Sequence, residues 1–111
     1  VTMYKLAVVG DGETVACFRP LGVDGFVPEN TEDIMGLLRL LRREGYGLVM
    51  VTERMAEGSE SDITAFSSEE PFPVVLTVPD TQGSTGMGMD RLKMWAERAI
   101  GADMLNITGE E

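Results

Sequence analysis

The sequence contains no histidine. That removes the commonest general base and the commonest transition-metal ligand together. Cys17 is the single cysteine, so neither an intramolecular disulfide nor a thiolate cluster can form. Cations are scarce: 9 Lys and Arg stand against 19 Asp and Glu, a net charge of −10. A chain this acidic lacks the cations that nucleic-acid phosphates or an anionic membrane surface demand. No apolar run reaches the roughly 18 residues of a membrane span. The apolar stretch 6–9 is shorter than a secretion-signal core and runs into Gly10-Asp11, not into a small-residue cleavage site. A location on the cytosolic side is therefore expected, without insertion into a membrane. Together these absences favour a binding part over a free-standing enzyme. No catalytic residue, cofactor or metal is expected.

What is present is globular in balance. The 111 residues are 43% hydrophobic and 25% charged, and the length suits one ordinary domain. Four β-like runs alternate with helical patterns. They cover residues 4–9, the weaker 25–27, 47–52 and 73–78. Runs one, three and four are apolar on both parities, the mark of strands covered on both faces in a parallel sheet. Helices are expected over 13–19, 30–43, 54–66 and 89–100. The first is capped by Asp11 and stopped by Pro20 and Gly22. The second is the clearest: Asn30 caps it, Asp33 follows as in a capping box, and Gly45 stops it. Its apolar residues Ile34, Leu37, Leu38 and Leu41 follow the i, i+3, i+4, i+7 pattern. Its acids, Glu32 and Asp33, come early and its arginines late, as the helix dipole favours. The third helix is weak, carries Gly58, Ser59 and Ser61, and reads as short or broken; Met55, Ile63 and Phe66 are its inward residues.

This order predicts an α/β fold: a small open four-stranded parallel sheet, order 2-1-3-4, receiver-like or flavodoxin-like. The α/β body takes residues 1–80. A Gly-rich linker follows at 81–88, then a tethered C-terminal helix and tail at 89–111.

Few residues carry chemistry. Gly10-Asp11-Gly12 lacks the third glycine of a dinucleotide fingerprint and the Gly-Lys-Ser/Thr of a P-loop, so it reads as a turn with Asp11 as an N-cap. Asp11, Glu53 and Asp80 all fall just past the carboxyl ends of strands, where α/β folds place ligands. A receiver-like domain binding a metal ion or a small phosphate ligand there is the alternative reading. Phosphoryl acceptance is not expected, because the third strand ends in Thr52-Glu53 where a receiver has its Asp. Cys17 reads as a buried structural residue, lacking the cationic neighbour of a reactive thiolate. Residues 53–70 hold six acids against Arg54, net −5. They form either a solvated face or a patch for a basic partner. The last helix is rich in methionine, which adapts to partners. It either packs on its own sheet or meets another chain. The residues expected at such an interface are Met87, Met89, Arg91, Leu92, Met94 and Trp95.

Several segments resemble a known family. Val8-Val9-Gly10-Asp11, with Thr14-Val15 after it, resembles the start of the F subunit of V-type and A-type rotary ATPases. Phe18-Arg19 followed by Gly22-Val23-Asp24-Gly25 is similar to the stretch leading into that family's second strand. Gly47-Leu48-Val49-Met50-Val51-Thr52-Glu53 resembles its third strand and Pro71-Phe72-Pro73-Val74-Val75-Leu76-Thr77-Val78-Pro79 its fourth. The tail from Gly86-Met87-Gly88-Met89-Asp90 to Ile100-Gly101-Ala102-Asp103 looks like the bacterial V-type branch. The resemblance implies a non-catalytic central-stalk (rotor) component. It implies binding to the coiled-coil shaft formed by the D subunit, and contact with the catalytic A/B ring or the stalk base. Its role would be coupling ATP hydrolysis or synthesis to H⁺ or Na⁺ transport.

Overall fold

The computed structural model describes residues 4–29 and 33–79, together with Met94, Glu97 and Arg98. Four strands, β1 (Lys5–Val9), β2 (Asp24–Phe26), β3 (Tyr46–Thr52) and β4 (Val74–Val78), form one sheet in the order β2-β1-β3-β4. All three pairings are parallel. The expected topology is therefore present, with strand ends moved by a residue or so.

Two apolar layers hold the sheet. On one face Leu6 and Val8 of β1, Leu48 and Met50 of β3 and Val78 of β4 meet Val15, Cys17 and Phe18 of α1 (Gly12–Phe18). On the other, Ala7, Val9, Val49 and Val51 meet Ile34, Leu38 and Leu41 of α2 (Ile34–Arg43) and Phe66 of α4 (Glu60–Glu69). Strand β3 is buried at all seven residues. β4 departs from the expectation of burial on both faces: Val74 and Thr77 are exposed and only Val78 is fully buried. It is an edge strand, and α4 shields it thinly.

Between Lys5 and Leu6 the β1–β3 register slips by one residue. Gly47 occupies that slip, and the Tyr4 ring lies where a side chain at Gly47 would go. Tyr4 in turn stacks on Phe72, centroids 4.8 Å apart. On the opposite face the Tyr46 hydroxyl donates to Asp24 Oδ2 at 2.6 Å, and Phe26 meets the Tyr46 ring edge-on. Burial first, then the Asp24 hydrogen bond and the charges of Asp24 and Glu44, push the Tyr46 phenol up to about 12.

The helices follow local rules with instructive departures. Asp11 caps α1: Oδ2 accepts from Thr14 N at 3.1 Å and Oδ1 from the Thr14 hydroxyl at 2.6 Å. After Phe18 the chain tightens into a 3₁₀ turn, Arg19–Leu21, that ends at Gly22. Asp33 stands at the N-cap of α2 without a side-chain capping bond, so the first turn of α2 holds no acid. Asn30 and Glu32 lie outside the described residues. Gly45, at φ +90, ends α2 as expected. The weak third helix is two helices, α3 (Glu53–Ala56) and α4, parted at Gly58 with φ +85. Met55 and Ile63 are half-buried, Phe66 is buried, and so is Ala56, which the sequence pattern does not single out. Cys17 is buried, its Sγ 3.5 Å from Glu13 O, as expected of a structural thiol.

Arg42 ties α2 to α4. Its guanidinium lies 3.7 Å over the Phe66 ring. Nη2 donates to Phe66 O at 2.7 Å and Nη1 to Glu69 Oε1 at 2.8 Å. Phe66 O is one of the last four carbonyls of α4, which have no partner within the helix. The stacking and the carbonyl bond are shielded; Glu69 is mostly exposed, so its ion pair contributes little. We expect Arg42→Ala to lower unfolding free energy by about 1–3 kcal/mol and Glu69→Gln by under about 1 kcal/mol, read by urea titration.

Asp11 gives a pH-dependent prediction. Burial acts to raise its carboxyl, but the bonds from the Thr14 hydroxyl and amide, with backbone amides at Asp11 and Glu13, outweigh it and hold the carboxyl below 3.8. A lowered folded value means the ionised cap stabilises fully above the unfolded value and ceases to as pH falls through the folded one. Asp11→Ala should cost about 1 kcal/mol at pH 7. Urea unfolding repeated at acid pH should show that difference shrinking once the pH passes below 3.8.

Candidate partner interface

Parallel strands bring their following loops to one edge of the sheet, so the turn after β1 and the turn after β3 are neighbours. The structure fills this edge with the chain's own contacts. Gly10 is buried and its amide donates to Phe26 O at 3.1 Å. The Thr52 methyl occupies the space that a side chain at Gly10 would take. The Thr52 hydroxyl accepts from Met55 N at 3.3 Å and caps α3. Both carboxylate oxygens of Asp11 serve Thr14. Glu53 is exposed in the first turn of α3, and Asp80 lies outside the described residues. Among the described residues no three acidic or thiol side chains converge as a metal-ligand set. Asp11 and Thr52 here do the work of helix capping.

Of the interface residues read from the terminal helix, Met87, Met89, Arg91, Leu92 and Trp95 lie outside the described residues. Met94 is helical and 57% exposed, and Glu97 and Arg98 are helical and exposed as well. The acidic stretch is exposed as expected: Glu53, Glu57, Glu60, Asp62, Glu69 and Glu70 all face solvent. A shallow hollow of about 410 Å³ runs between α4 and β4, lined by Ile63, Thr64, Ser67, Ser68, Val75 and Thr77 among others.

A second hollow, lined mainly by apolar residues, lies where β2 ends beside α2. Phe26, Val27 and Pro28 form one wall, and Gly36, Leu37 and Leu40 the other, around a groove of about 520 Å³. Val27 is 53% and Leu40 41% exposed, which is unusual for large aliphatics gathered at one place. Phe26 is set by its register opposite Val9 and by the edge-on contact with Tyr46, so this wall is fixed from beneath. Asp33 also lines the groove.

The sequence pattern misses this groove for a definite reason. Periodicity puts Leu37 in the buried stripe, yet it is half-buried, while Ile34, Leu38 and Leu41 are buried. Helix α2 carries two stripes. Ile34, Leu38 and Leu41 face the sheet; Asp33, Gly36, Leu37 and Leu40, spaced i, i+3, i+4, i+7, face the groove. The signal available is a surplus: the helix has more leucines than one inward stripe can use. Its charge is one-sided too. Arg39, Arg42 and Arg43 are its only charged residues between Ile34 and Arg43. Arg42 turns to α4, while Arg39 and Arg43 are exposed. Among the described residues neither of these two forms an ion pair.

No described helix is long and apolar enough to cross a membrane. The family model of the ATP synthase (F/14-kDa) subunit matches residues 6–95, which takes in β1 from Leu6 on and the whole of β2, β3 and β4. The chain is 33% identical over 103 residues to the F subunit of the V-type ATP synthase of Fusobacterium nucleatum, covering 93% of this chain and 97% of that one. It is 35% identical over 101 residues to the F subunit of the V-type ATP synthase of Clostridium botulinum strain Eklund 17B, covering 91% and 97%. It is 37% identical over 106 residues to the F subunit of the A-type ATP synthase of Thermococcus kodakarensis, covering 90% and 97%. The matched region contains β1 from Leu6 on with its turn, the approach to β2, β3 and β4, and the chain belongs to the family of the ATP synthase F/14-kDa subunit.

Proposed function

We propose that the chain is a non-catalytic component of the central stalk of a V/A-type ATPase, held on the cytosolic side and peripheral to the membrane. It binds the coiled-coil shaft formed by the D subunit; the two turn together. In this way it couples ATP hydrolysis or synthesis in the A/B ring to H⁺ or Na⁺ transport. The observation that carries the reading is the family match over residues 6–95. The physical character of the body agrees with it. Asp11 and Thr52 at the carboxyl edge are occupied in capping helices, and the large exposed apolar residues Val27 and Leu40 flank one groove. Such a surface suits adhesion to another chain, not turnover of a small substrate. The terminal segment supplies a further contact, with Met87, Met89, Arg91, Leu92, Met94 and Trp95 directed at the shaft or the ring.

The full chain, mixed with a folded, tagged D subunit, should be retained after washing and co-elute as one complex. Absence of binding with both chains folded would overturn this reading. Within the complex, Trp95→Ala should weaken binding about tenfold or more, as truncation of a central aromatic does. Equal affinity of wild type and variant, measured by titration calorimetry, would remove Trp95 from the interface and leave the body as the site of attachment.

A further inference from the structure

Gly36 is the third residue of α2, in its first turn, where glycine is still a weaker helix former than alanine. Packing among the described residues does not explain it: apart from its chain neighbours and the backbone of its own helix, none of their atoms lies within 4 Å of the position a Cβ would take. Gly36 lines the groove on its α2 wall, with Leu37 and Leu40. A missing Cβ at such a point lets a second backbone come closer than any other residue would allow. Leu37 and Leu40 stand four residues or fewer from it along α2, and Val27 faces them from the loop after β2. Arg39 and Arg43, three and seven residues from Gly36, lie beside the stripe as an exposed i, i+4 pair. The α2 wall is thus notched at Gly36, apolar at Leu37 and Leu40 and cationic along one margin.

We propose that this groove is the seat of a single amphipathic helix of a partner chain, one with a large aliphatic side chain over Gly36 and carboxylates along the flank that meets Arg39 and Arg43. The inference rests on the stalk reading for the identity of that chain, which is then the shaft formed by the D subunit. The stripe from Gly36 to Arg43 covers about two helical turns, roughly 10 Å, the length over which one crossing helix makes contact. Charge complementarity selects the occupant. The chain is acidic overall, yet this helix presents two arginines that have no acid opposite them among the described residues. Through α2 or α4 a second copy fits poorly. An α2–α2 pair would gather four exposed arginines. The exposed face of α4 is acidic and its one exposed apolar residue, Ala65, is too small to fill the groove; Phe66 points into the core and Ile63 faces β4.

Full-length wild type and three variants, Gly36→Ala, Leu40→Asp and the double Arg39→Glu, Arg43→Glu, would be titrated against the full-length D subunit, with circular dichroism and thermal unfolding of each. Gly36→Ala is the most discriminating. It should leave Tm unchanged or slightly raised and still weaken binding about tenfold, which loss of structure cannot explain. Leu40→Asp should weaken binding tenfold or more with the fold retained. The arginine reversals should weaken binding and flatten its salt dependence. If wild type binds and all three variants bind as tightly, the groove is not the seat, while the stalk reading stands. If folded wild type does not bind, both fall. If sedimentation shows a wild-type dimer that Leu40→Asp dissolves, the occupant is a second copy and the proposal is overturned.

Discussion

Strand β3 is buried along its entire length, and the rest of the structure is arranged around that constraint. Leu48, Val49, Met50 and Val51 are each fully buried, two on either face. Side chains of this size contribute about 1.5–3 kcal/mol each on burial. A strand that gains this on both faces must have helices on both faces, and right-handed parallel crossovers are the short way to provide them. Gly47 belongs to the same constraint: it lets Tyr4 lie down at the start of β3, against Phe72. The Arg42 contact with α4 then closes the weaker edge, where β4 is only partly covered.

What can be read from the sequence follows from which signals are local. Non-alternating runs in β1 and β3, the breakers at Gly22, Gly45 and Gly58, and the Asp11 cap are written within a few residues, and the sheet order follows from handedness. β4 reads like a strand buried on both faces, because Val74-Val75-Leu76 is as apolar as the middle of β3. Its exposure depends on being at the edge beside a helix that is mostly polar, which is a property of the assembly of elements. The groove is harder still. Phe26 and Val27 are remote from Leu37 and Leu40 along the chain, and only the β2–α2 corner brings them together. The second stripe of α2 is legible in principle as an excess of leucine.

At the carboxyl edge the described residues spend on their own helices the groups that other open parallel sheets turn toward a ligand. In open parallel sheets the loops at that edge gather backbone donors and acids around a substrate. Here Gly10 and Thr52 close the gap between β1 and β3, and Thr52 and Asp11 are each committed to starting a helix. Those commitments stiffen the join between strand and helix. A stiff join suits the proposed place in a rotor, where load passes through the body without any need for an open cleft.

Gly36 shows how the two faces of α2 divide their tasks. A core that holds β3 from both faces tolerates a weak position on an outward helix face, because α2 is anchored independently by Ile34, Leu38 and Leu41. The helix can thus forgo the helix propensity that alanine would add without losing its place on the sheet. The freedom to leave a hollow at Gly36, and to leave Val27 and Leu40 in water, comes from the strength of the buried stripe beneath them. The energy missing from the isolated chain is of the kind that contact with a second chain returns: apolar area removed from water, close backbone approach, and an opposite charge for Arg39 and Arg43. On this account stability and function are divided between the two faces of one ten-residue helix.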